Sequence, residues 1–192
     1  LPGAVLDRLD RALVSDEVVQ VVEESERGAG TATRTDPTGT LTWRFRAEGV
    51  RDFAFATSSE YVWDAARAIT PDANGDGQDE VVAVHALYRP DADSWSESAQ
   101  YIRHAVTFHA ERWYPYPWPH MTGAEGPVGG MEYPMLTFVS AFPEARTVYE
   151  TLNHEIGHMW YPMMIGSNES SYAWMDEGLT TYIEGYATGD YF

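Results

Sequence analysis

The stretch that most constrains this chain runs from Thr147 to Gly178: His154-Glu155-Ile156-Gly157-His158, eighteen further residues, then Glu177. Thr147 followed three positions later by Glu150 has the form of a capping box and predicts that a helix opens there. On a helix, side chains four positions apart stand one above the other, so both imidazoles can reach a single ion. Glu155 flanks the same spot without having to bind it. Pro162 cannot continue the hydrogen-bond ladder, and Gly166-Ser167-Asn168 is turn-forming, so the helix is expected to end nearby. Trp174 to Tyr186 reads as a second helix that carries Glu177 near its start. His154, His158 and Glu177 then make the three-ligand set of a catalytic zinc site, its fourth position left for water. Asp176 and Glu150 are candidates to orient the imidazoles. The plain alternative, two helix histidines beside a solvated glutamate, suits the pentapeptide alone better than it suits the whole stretch.

The spacing resembles the gluzincin metallopeptidases, and the neighbouring residues resemble the aminopeptidase N-like family, which includes leukotriene hydrolase. The shared signature is H-E-x-x-H, eighteen residues, then E within W-x-x-E-G, here Trp174-Met175-Asp176-Glu177-Gly178. A second signature of that family, G-x-M-E-N, is matched upstream by Gly129-Gly130-Met131-Glu132-Tyr133, with Tyr133 in place of asparagine. The resemblance implies a zinc aminopeptidase. His154, His158 and Glu177 would hold one Zn2+, and Glu155 would act as general base on a metal-activated water. Glu132 would bind the free α-amine of a peptide substrate, and Gly129, Gly130 and Met131 would line the substrate path. The family also uses a tyrosine several tens of residues beyond the third ligand. Tyr182, Tyr186 and Tyr191 stand too close to Glu177 for that position, and Phe192 comes only fifteen residues after it. The chain therefore reads as a piece ending within the catalytic domain, weakly active or inactive in this form. Two other readings stay open: a zinc endopeptidase, and a non-catalytic zinc- or peptide-binding module.

Charge narrows the partners. Thirty acidic against twelve basic residues give a formal net charge of -18, without the basic footprint that nucleic-acid backbones require. Every basic residue is Arg. This acidic, lysine-free composition fits either adaptation to high salt or a genome biased toward Arg codons. No apolar run is long enough to span a bilayer. Cysteine is absent, which excludes a disulfide framework and a thiol nucleophile and fits either side of a membrane. The N-terminus has neither an initiator Met nor a signal-like segment, and the chain reads as an internal piece. Compartment and oligomeric state are not written in these residues.

From the N-terminus, Ala4 to Leu13 predicts a short helix, with Leu6, Leu9 and Leu13 at helical spacing. Glu17 to Val22, Leu41 to Arg46, Asp52 to Ala56 and Tyr61 to Ala65 are strand-like, separated by Gly- and Thr-rich loop, and suggest part of a β-sandwich. Residues 72–80, Asp-Ala-Asn-Gly-Asp-Gly-Gln-Asp-Glu, resemble the opening of a Ca2+ loop. Ala83 stands where the bidentate Glu belongs, so a polar β-turn is the expected structure. Val81 to Tyr88 predicts a strand. Ser94 and Glu97 form another capping-box pattern before an amphipathic helix bearing Trp95, Ala99, Ile102, Val106, His109 and Trp113. His104 and His109 read as packing or surface histidines. Pro115, Pro117 and Pro119 force an extended segment through His120, and Met135 to Ser140 predicts a further strand. The expected architecture is α+β. Residues 1–80 would be the C-terminal part of a β-rich domain, a sandwich remnant. Residues 81–192 would be the N-terminal half of a thermolysin-like catalytic domain.

Overall fold

In the computed structural model, which describes residues 1–28 and 30–192, two nine-residue strands form the centre of one mixed sheet. β2 (Val62–Thr70) and β3 (Glu80–Tyr88) pair antiparallel along their whole length, from Val62 opposite Tyr88 to Thr70 opposite Glu80. β3 alternates as a half-covered strand should: Val82, Val84, Ala86 and Tyr88 are buried, while Val81 faces solvent. β1 (Val19–Val22) pairs antiparallel with β2 on the outer side. On the other side β4 (His120–Glu125) lies parallel to β3, β6 (Leu136–Val139) parallel to β4, and β5 (Gly130–Tyr133) antiparallel to β6 at the edge. The order is β1-β2-β3-β4-β6-β5.

Parallel β3 and β4 need a long crossover, and α2 (Ser98–Arg112) supplies it. Its expected stripe is the one that packs: Trp95, Ala99, Ile102, Val106 and His109 are all buried, and only Trp113, at the helix end, is partly exposed. α3 (Ala145–Gly157) packs on α2 and on β5 and β6, and α4 (Glu177–Tyr191) packs on α3 and α2. At the crossing of β4 with α2 and α3 stands Gly123, where a Cβ would meet Ile102 at 2.7 Å and Leu152 at 3.0 Å. α1 (Gly3–Ala12) covers β1 and β2 with Val5, Leu9 and Ala12; Leu6 and Leu13 of the expected stripe are exposed.

Several expectations need correction. Leu41 to Arg46 and Asp52 to Ala56 form no strand, and among the described residues there is one sheet, not a sandwich. Their alternating apolar residues, Trp43, Phe45, Phe53 and Phe55, lie on the surface, where Trp43 stacks on Phe45 and Phe45 meets Phe53 at a tilt. Alternation marks a face without saying what covers it. The strand ending at Ala65 in the sequence reading extends to Thr70 and pairs across residue 80, where the two halves of the chain were divided. Neither capping box forms. α3 opens at Ala145, two residues before Thr147, and Glu150 instead pairs with Arg146 at 2.8 Å; α2 opens at Ser98, after the turn that holds Ser94. β4 and the edge strand β5 were not anticipated, because Gly and Pro around them resemble turn signals. The 72–80 loop spends its side chains on its own backbone: Asp72 accepts from the N–H groups of Asn74, Gly75 and Gly77, and Asn74 bonds Glu80. Among the described residues no metal-binding set converges there, and the Ca2+ expectation has no support. No helix among them is long and apolar enough to cross a membrane.

Candidate metal centre

α3 delivers His154 and His158 one turn apart, and α4 begins with Glu177, so three donors meet where the helices face each other. Donor atoms of the three residues lie within 4.8 Å of one another. Nε2 of His154 stands 3.1 Å from Glu177 Oε2, and Nε2 of His158 stands 3.8 Å from the same oxygen. Two donors at zinc-ligand distance from a tetrahedral ion are themselves about 3.3 Å apart. The donor set and its spacing fit zinc. His158 is buried and Glu177 is exposed, which gives the site one closed and one open side.

The other ring nitrogens are held. His154 Nδ1 donates to the Glu184 carboxylate. His158 Nδ1 donates to the Tyr161 carbonyl at 2.8 Å, where the chain leaves helical geometry after α3. Asp176 Oδ1 lies 2.7 Å from the same nitrogen but completes no hydrogen bond of its own, and Thr180 Oγ1 is 3.3 Å away. Such partners fix the ring orientation and leave Nε2 as the free donor. Asp176 is thus beside His158 as expected, whereas Glu150 is occupied by Arg146. Glu184 was missed, although its position was legible: it follows Glu177 by seven residues, two turns along the same helix face.

Charge in this cleft is strongly perturbed. Burial pushes the Glu155 carboxyl up to about 8, with Glu132 and Glu177 adding to it and His154 opposing. Burial alone would lower the His154 imidazole, but the Glu184 hydrogen bond and the charges of Glu184, Glu155 and Glu177 hold it at about 9. Burial also raises Asp176. A cluster of carboxylates around two imidazoles favours any cation that enters.

β5 forms the opposite wall. Glu132 stands close enough to Glu155 to raise its carboxyl, and donor atoms of Glu132, His158 and Asp176 also lie within 4.8 Å of one another. Gly130 lies against the site: an added Cβ there would stand 2.0 Å from Glu155 Oε1. Gly129 has open space at that position, and Met131 is exposed. His120 lies apart from this cluster, its ring 6.1 Å from that of His85.

The side-chain constellation resembles that of the aminopeptidase N-like gluzincins, and the resemblance rests on residues that meet in space. No family model matches the chain. It is similar to leucine aminopeptidase 2 of Aspergillus oryzae (strain ATCC 42149 / RIB 40), 32% identical over 77 residues that make up 37% of this chain and 12% of the relative. Leucine aminopeptidase 2 of Ajellomyces capsulatus (strain NAm1 / WU24) is 35% identical over 60 residues, 30% of this chain and 10% of that one. Among solved structures, an M1 zinc metallopeptidase from Deinococcus radiodurans aligns over 62% of this chain and 27% of its own, with 23% identity and a TM-score of 0.42. The match thus spans about an eighth of the length of the first of these relatives.

Proposed function

We propose that this chain carries the zinc site of an aminopeptidase that removes N-terminal residues from peptides. The observation that supports the reading best is the convergence of His154, His158 and Glu177, with the second nitrogen of each imidazole already engaged. His154 Nε2, His158 Nε2 and Glu177 would hold the ion. When bound, zinc supplies Lewis acidity, acidifying a water and polarising the scissile carbonyl. Glu155, beside that spot and away from bulk solvent, takes the proton as water attacks and returns it to the leaving amine. Its raised proton affinity suits a base that must hold a proton and then release it. Glu132, on the wall facing Glu155, receives the substrate ammonium; a charge-assisted bond there contributes about 1.5–3 kcal/mol. Gly130 lets the β5 backbone come against the reacting groups. The relatives named leucine aminopeptidase 2 support the exopeptidase reading over the endopeptidase one.

The test uses metal content together with paired substrates. Wild type should hold one zinc per chain and, in a longer protein that carries this chain, cleave aminoacyl chromogenic amides but not their N-acetylated forms. Glu155→Gln should keep zinc and lose two to four orders of magnitude in rate. His154→Ala should lose the metal. Equal cleavage of free and blocked amides would remove the role given to Glu132.

A further inference from the structure

α3 and α4 run past each other along a repeating set of contacts. Tyr149 Oη donates to Ala187 O at 3.0 Å, Asn153 Nδ2 donates to Glu184 O at 2.9 Å and to Thr188 Oγ1 at 3.2 Å, and Gly157 admits Thr180. A Cβ at Gly157 would be 2.9 Å from Thr180 Cγ2. The steps of four on α3 meet descending positions on α4, so the two helices have one register here.

The central contact is the most determined. Glu184 O is a carbonyl and can only accept, so the Asn153 amide must present its NH2 group to α4. Its Oδ1 therefore faces His109 on α2, 2.8 Å from Nε2, and must accept. His109 is thereby held as the Nε2–H tautomer, and its buried Nδ1 has no partner. Asn153 and His109 are both fully buried. All three helices are tied at one amide, next in sequence to His154, and the tie is made to the backbone of Glu184, whose side chain orients that imidazole.

We infer that Asn153 is a positioning residue for the metal centre: held by His109, it clamps α4 at Glu184 and so sets both the Glu184 carboxylate on His154 and Glu177 on the ion. Apolar packing of the two helices would permit small slides and rotations; the amide contact does not, because a hydrogen bond loses its alignment within a fraction of an ångström. This rests on the zinc reading above and adds to it a route by which α2 controls metal affinity.

Zinc affinity is measured on the whole chain by competition with a chromogenic chelator, below the melting temperature of each variant, with the visible spectrum of the Co2+-loaded protein as second readout. Asn153→Ala should weaken zinc binding about tenfold and alter the Co2+ bands, as loss of an outer-shell partner does. Glu184→Gln should weaken it similarly, and Asn153→Ala in the Glu184→Gln background should add less than it does in wild type, because part of its action runs through the Glu184 carboxylate. A lowered melting temperature with unchanged affinity and spectrum would mean that Asn153 is only structural. Fully additive losses would mean that it does not act through Glu184. Should Asn153→Ala not fold, the His109 pair decides: His109→Leu removes the donor and should weaken zinc binding, while His109→Gln keeps an N–H and should restore it. Equal affinity in that pair overturns the inference. Wild type that takes up no zinc overturns the zinc reading itself, a failure visible before any variant is made.

Discussion

The backbone of Gly130 lies directly against the carboxylate of Glu155, so that a methyl group on its Cα would stand 2.0 Å from Oε1 and 3.2 Å from Thr151 Cγ2. Only the tip of a flexible side chain has to move, so Gly130→Ala should change stability little. That tip is the proposed base, and a shift of about 1 Å in a reacting group can cost on the order of a hundredfold in rate. Gly130→Ala is expected to retain stoichiometric zinc and a near-wild-type melting temperature while kcat for a leucyl chromogenic amide, measured in a longer protein that carries this chain, falls by about that factor. Gly129→Ala, with open space at its Cβ, is the control and should stay near wild type.

Zinc should stabilise the fold, because its donors come from two helices that have no reason to converge in the unfolded chain. At a zinc concentration of about one hundred times Kd the gain is about 2.7 kcal/mol. For a chain of this size that raises the melting temperature by about 5–10 °C. Differential scanning fluorimetry with zinc and then EDTA reads it, and His154→Ala should show no rise.

His109 makes stability depend on acid. Burial holds its imidazole down at about 4, with the Asn153 hydrogen bond opposing, against about 6.5 in the unfolded chain. Above pH 6.5 the ring is neutral in both states and the stabilisation is complete. Between about 6.5 and about 4 the unfolded chain binds a proton that the folded chain refuses, so stability falls with pH. The loss is on the order of 3 kcal/mol by pH 4. Urea midpoints at pH 7, 5.5 and 4.5 measure it. His109→Gln, which does not titrate, should show a shallower slope, and identical slopes would refute the assignment.

Gly123 sets the distance between the sheet and the helices. A Cβ there would meet Ile102 and Leu152, both fully buried, at 2.7 and 3.0 Å. Gly123→Ala should cost about 1–3 kcal/mol through overpacking, read as a lower urea midpoint. Pairing it with Ile102→Val, which frees a methyl group at the contact, should recover part of the loss.

The meeting of the candidate ligands was legible in the sequence because it is largely local. His154 and His158 share a face by helical period alone, and Glu155 rides beside them. Glu177 was legible because turn-forming residues between two helices leave the chain little choice but to return. Strands with one covered face, such as Val82 to Tyr88, were legible by alternation. By the same rule the Trp43–Phe45 and Phe53–Phe55 segments looked like strands, yet among the described residues no strand pairs with them. Period describes a segment, and pairing is a property of two.

Tertiary structure alone decided the rest. That β5 becomes an edge strand facing α3, that Gly130 and not Gly129 touches Glu155, and that Glu184 rather than Glu150 steadies His154 all depend on how helices and sheet settle together. Those choices are made between groups tens of residues apart, by packing and by the need of each buried polar group for a partner. The residues named the candidate ligands; only the packed helices aim them at one another.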